Sequence, residues 1–258
     1  MFVALATLFL GSVTARVSAQ GTPNGDRAAA LPSTDDKTGT NPLNIQTTVV
    51  VVNDFRSLPD ALFSNTSRYR YVMPLARRRM SAWLDLPILA SNVTGRTEAA
   101  FGDLGVRWSW IPWIQRSRGV LVGVDTAWRT ATNEALGDGR HTLAPFVQMV
   151  FLPSPATVTG ASYMQRQSVG GDSQRLDISE GVATFYLAWL PTAAMWTIAE
   201  PQMVVDYEND DTSGRIDVEL GRVLFGGVGT YVRPGLGIGS RSARPFDWKL
   251  EIGFRVIP

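Results

Sequence analysis

The chain has 258 residues, one histidine, no cysteine and a formal net charge of +1. The length fits one large β domain or two ordinary ones, and the missing cysteines exclude disulfides, thiolate metal sites and cysteine nucleophiles. A near-neutral balance offers no concentrated positive field for phosphates, so nucleic acid is not an expected partner.

Residues 1–19 read as a cleavable signal peptide. The stretch 2–15 is mostly apolar, and Val17, Ser18 and Ala19 close it at the cleavage positions. It is shorter than the roughly 20 apolar residues of a membrane-spanning helix, and no lysine or arginine precedes it. Residues 20–43 form a polar leader carrying Pro23, Gly25, Pro32, Asp35, Asp36, Gly39 and Pro42. Without periodicity and with little to bury, it is expected to be flexible. Composition does not decide whether such a leader enters a barrel lumen.

From 44 to 258 one pattern repeats, an alternating run followed by a turn. Alternation at period two marks strands whose two faces meet different environments. About twelve runs are predicted, near 44–54, 67–75, 79–90, 101–112, 118–130, 141–152, 158–168, 176–190, 193–207, 214–226, 228–239 and 246–257. Each reaches the roughly 9–11 residues of a tilted transmembrane strand. The last is the cleanest, with Trp248, Leu250, Ile252, Phe254 and Val256 opposing Lys249, Glu251, Gly253 and Arg255. The run at 158–168 has no decided parity.

The connections alternate as well: 54–66, 91–100, 131–140, 169–175, 208–213 and 239–245 are polar and longer, while those between them are mostly tight. A transmembrane barrel with both ends in the periplasm has short periplasmic turns and longer outward loops. Only a closed barrel satisfies every strand hydrogen bond in lipid. The fold class is therefore all-β, a transmembrane antiparallel up-and-down barrel over 44–258. A soluble lipocalin-like barrel is the alternative. Trp110, Trp113, Trp128, Trp189, Trp196 and Trp248 are expected on the outside, in interfacial girdles.

Parity turns Arg107, Asp125, Arg129, Glu180, Asp206, Asp217, Glu219, Arg233, Glu251 and Arg255 inward as lumen-lining candidates. Buried charge must be paired or hydrated, so the interior is either water-filled or laced with ion pairs. Mixed signs predict no strong ion selectivity.

Three segments carry a family resemblance. The strand Phe101-Gly102-Asp103-Leu104-Gly105-Val106-Arg107-Trp108 resembles the glycine-aspartate-leucine strand of the phenol meta-pathway transporter family of outer-membrane proteins. The loop from Gly137 through Asp138, Gly139, Arg140 and His141 to Pro145 is similar to that family's glycine-rich loop, and 36–46 is similar to its leaders. The resemblance implies an outer-membrane barrel of a bacterium with two membranes, passing hydrophobic or aromatic small molecules. Such barrels usually end in an aromatic residue, read by the barrel-insertion machinery; Pro258 holds that slot here.

Catalysis is not expected. A nucleophilic serine needs a base within hydrogen-bond reach, and His141, the single histidine, has Arg140 and Thr142 as neighbours. Glu208, Asp210 and Asp211 offer carboxylates of the kind calcium takes, but a solvated hairpin loop accounts for them better. No catalytic residue, cofactor or metal site is assigned. The leading function is passage of small solutes through a channel. The alternatives are a closed structural or adhesive barrel binding partners through its outer loops and, behind it, a membrane-embedded lipid hydrolase. Expected partners are outer-membrane lipid, a small-molecule solute and, during assembly, the insertion machinery.

Overall fold

The computed structural model describes residues 36–258; the expected signal peptide and the leader up to residue 35 lie outside the described residues. Thirteen strands follow in order: β1 (Thr48–Ser57), β2 (Phe63–Leu75), β3 (Met80–Ser91), β4 (Glu98–Phe101), β5 (Leu104–Gln115), β6 (Arg118–Trp128) and β7 (Arg140–Ser154). The rest are β8 (Thr157–Gly171), β9 (Ser179–Thr192), β10 (Met195–Asp206), β11 (Asp211–Phe225), β12 (Val228–Ile238) and β13 (Trp248–Val256). All pairings are antiparallel, and β1 pairs with both β2 and β13, which closes the sheet.

β4 and β5 both pair with β3 and act as one interrupted strand, so the barrel is twelve-stranded. The interruption has a local cause. Pro87 in β3 has no N–H to give, and the Gly102 N–H reaches the Pro87 carbonyl at 2.9 Å. A Cβ at Gly102 would stand 2.2 Å from the end of the Leu89 side chain, which would have to turn aside. The adjoining Asp103 carboxylate accepts the backbone N–H groups of Thr130, Ala131 and Asp138 at 2.9, 3.0 and 2.8 Å. It thereby pins the 129–139 connection.

The alternation of connections is present. One end of the barrel carries the tight turns 76–79, 116–117, 155–156, 193–194 and 226–227, and the other carries 58–62, 92–97, 129–139, 172–178, 207–210 and 239–247. We call these the turn end and the loop end. β8, undecided in the sequence, is among the longest strands at 15 residues. Its outward positions include Thr157, Thr159, Ala161 and Gln165, which give no hydropathy contrast with inward Val158 and Gly160. Pairing with β7 and β9 settles what its own pattern leaves open.

Outward positions carry exposed apolar side chains all round, among them Tyr69, Leu84, Met149, Phe185, Leu220 and Phe254. Trp110, Trp113 and Trp189 stand outward near the turn end, and Trp128 and Trp248 near the loop end. Trp196 departs from the expectation. It is 2 % exposed and points inward, its Nε1–H donating to Glu219 Oε1 at 2.6 Å. A Cβ at Gly221 would lie 2.0 Å from the indole, and one at Gly229 would lie 2.9 Å from it. Two glycines on the neighbouring strands thus make the space the ring occupies.

Candidate functional site

The interior divides into two layers. Toward the turn end lies a packed apolar layer that includes Val52, Ile111, Leu121, Val150, Val158, Trp196 and Ile198, joined by Leu43 and Ile45 from the segment before β1. Residues 36–47 are therefore inside the barrel. Leu43 is 2 % exposed, and two interior side chains hold the segment's backbone: Tyr186 donates from its hydroxyl to the Thr40 carbonyl, and Arg255 donates from Nη1 to the Thr38 carbonyl. Within the segment, Gln46 Nε2 donates to the Asp36 carbonyl at 2.8 Å. The strand expected from 44 starts at Thr48, because 44–47 belong to this inserted stretch.

Toward the middle and the loop end the interior is charged. A cavity of about 470 Å³ is lined by residues of eleven strands, a distribution only the lumen can supply. A second, of about 230 Å³, adjoins it around Arg70, Trp83, Asp85, Arg107, Asp125 and Arg166.

The lumen-lining candidates fall in two groups. Arg107 and Asp125 are register partners across β5 and β6 and form a two-point ion pair. The Arg107 guanidinium also lies 4.6 Å from the centre of the Trp83 ring and 4.9 Å from that of Phe146. Asp217 is fully buried and holds Lys249 Nζ at 3.0 Å and Arg215 at 3.4 Å. Glu219 faces Arg255 at 3.4 Å; Glu251 takes Lys249 at 3.6 Å and the Tyr231 hydroxyl at 3.0 Å. Arg233 pairs with Glu200 at 2.8 Å, and Glu180 with Arg166 at 3.2 Å.

Arg129 and Asp206 stand apart, at the loop-end rim. Arg129 pairs with Glu134 and lies 3.8 Å from Asp172. Asp206 closes its own turn, accepting from the backbone of Glu208 and Asn209 and from the Asn209 side chain at 2.7 Å. His141, beside Arg129, accepts the Arg129 backbone N–H on Nδ1 at 3.1 Å and packs edge-on against Trp128. No serine hydroxyl is bonded to it among the described residues, nor do the described residues contain a group of His, Asp and Glu suited to a metal ion.

Parity left several interior charges unnamed. Asp54, Arg56, Arg68, Arg70, Asp85, Arg166, Glu200, Arg215 and Lys249 all belong to the interior network. The signal was present: Arg68 and Arg70 alternate with Tyr69 and Tyr71, and Arg215 and Lys249 share the faces of Asp217 and Glu251. What the sequence does not show is which cation meets which carboxylate, because Arg233 reaches Glu200 across the intervening β11.

Comparison with known proteins agrees with this architecture. No family model matches the chain, and no curated protein matches it by sequence. Solved outer-membrane channels do match by structure. An outer-membrane channel of Pseudomonas putida F1 superposes with a TM-score of 0.69 at 10 % identity, covering 86 % of this chain and 98 % of that one. The NanC porin gives 0.61 at 11 % identity, covering 81 % and 99 %. The KdgM porin gives 0.58 at 7 % identity, covering 81 % and 98 %. At such identities the likeness concerns the fold, which is that of outer-membrane porin and channel barrels.

Proposed function

We propose that the chain is an outer-membrane channel for small solutes, with its turn-end mouth stoppered by residues 36–47. The observation that carries this reading is the cavity of about 470 Å³ lined by charged side chains inside a barrel with an apolar exterior. Interior charges must each be desolvated and paired at a cost, so their presence around a cavity supports a path for polar solute rather than a filled scaffold. The outward apolar belt and the tryptophans near both ends suit a bilayer and its interfaces, which supports an outer-membrane location with lipid as the surroundings. Hydrophobic or aromatic solutes agree with the resemblance of 101–108 and 137–145 to the phenol meta-pathway transporter family, and membership of that family is part of this proposal. Insertion would use the assembly machinery that serves such barrels.

The test is conductance of the folded chain in a planar lipid bilayer, beside a variant with Leu43→Asp and Ile45→Asp. Two carboxylates cannot stay in an apolar layer without a partner, so the stopper of the variant is expelled. Steady, salt-dependent openings in the variant, with rare openings in the parent, are expected. Two folded barrels that never conduct would sink the channel reading and leave the outer loops as the functional surface.

A further inference from the structure

The interior charges balance with one exception. Eight cationic side chains line the larger cavity, and seven of them have a carboxylate within ion-pair distance: the five paired with Asp125, Asp217, Glu219 or Glu200 above, Arg70 on Asp85 at 2.7 Å, and Arg56 on Asp54 at 2.7 Å. Arg68 is the eighth. Among the described residues no hydrogen bond or ion pair forms to its guanidinium. Its near charged neighbours on the same wall are Arg70, two residues along β2, and on β1 Asp54 and Arg56, which pair with each other. The carboxylates that act on it from farther away are already engaged, Asp85 by both of its oxygens on Arg70 at 2.7 and 2.8 Å, and Glu251 by Lys249 and Tyr231.

A guanidinium with two others near it and facing the lumenal cavity is short of one negative charge. Its planar fork of donors matches a carboxylate at two points. The same cavity presents the rings of Trp83, Phe146, Tyr186 and Tyr231. Its volume exceeds that of a single substituted ring. We propose that Arg68 anchors a lumenal binding site for a small aromatic carboxylate, whose anionic head meets the guanidinium while its ring lies among these aromatic side chains. Within the proposed channel this is the solute-binding site, so the assignment deepens that reading. Binding does not require conduction, and the two therefore fail separately.

The experiment is isothermal titration of the folded full chain in detergent micelles with sodium benzoate, and with benzyl alcohol as its uncharged counterpart. Saturable binding of benzoate but not of benzyl alcohol is expected. Arg68→Gln should weaken benzoate by about tenfold to a hundredfold, the worth of a charge-assisted hydrogen-bond pair. Arg68→Lys should retain part of the affinity, and Arg222→Gln, at an exposed position near the turn end, should bind as the parent does. Heat-dependent gel mobility checks that each variant is a folded barrel. Benzoate binding unchanged in folded Arg68→Gln, absent from the parent, or matched by benzyl alcohol would overturn the proposal.

Discussion

At the turn end the barrel is filled by apolar side chains and by its own N-terminal segment, whereas nearer the loop end the same twelve strands enclose arginines and carboxylates around open space. Both layers keep the same inward and outward alternation, apart from register shifts such as the one between Trp110 and Trp113 in β5. The difference lies in what the inward positions carry. Ile111, Val150 and Ile198 can lose water only by touching one another, so they pack and leave room for Leu43 and Ile45 alone. Arg107, Asp125, Glu200 and Arg233 lose water at a cost that pairing only partly returns, so they stay at the walls and keep a cavity between them. One barrel therefore contains an apolar stopper and a charged vestibule, and the strand pattern alone does not distinguish them.

Breaking the stopper should have the largest effect. Leu43→Asp with Ile45→Asp is expected to turn a barrel with rare openings into one with steady conductance, read in planar bilayers. Next comes the buried pair of the charged layer. Asp217→Asn leaves Lys249, 2 % exposed at its side chain, without its principal carboxylate, and should cost about 3–5 kcal/mol in urea unfolding followed by tryptophan fluorescence. If water reaches Lys249 from the cavity, the measured loss will fall well below that range. Leu43→Ala sharpens the contrast on the apolar side. It removes three buried carbons from the stopper, and a loss of about 2–4 kcal/mol is expected if that layer packs like a protein core. At the rim, Arg96 is 82 % exposed where it meets Glu98. Arg96→Ala should change stability by less than about 0.5 kcal/mol, and a larger loss would mean that the loop end is more tightly built than its exposure implies.

Trp196 shows where reading by residue type failed. A tryptophan near a strand end suits an interfacial girdle, yet parity in β10 puts Trp196 with Ile198 and Glu200 on the inner face. The inward glycines at 221 and 229 were the legible counterweight, since they leave room for one large ring. The loops were read better than the interior. Turn lengths depend on local chemistry, and their alternation survives errors of a few residues at each strand end. The candidate charges stood at an intermediate level: eight of the ten lie along the interior, but Asp206 closes its own hairpin and Arg129 serves the rim, because both lie where the strands give way to loops.

The sequence by itself determined the strands, their number, the outward apolar face and the asymmetry of the two ends, all of which follow from period-two alternation and turn residues within a dozen positions. Only the tertiary structure decided that residues 36–47 enter the lumen, that Arg233 reaches Glu200 over a strand, and that Arg68 is left without a partner. Those outcomes depend on which strands stand opposite once the sheet has closed. Closure brings together residues more than two hundred positions apart, such as Thr38 and Arg255, and no local pattern encodes that distance.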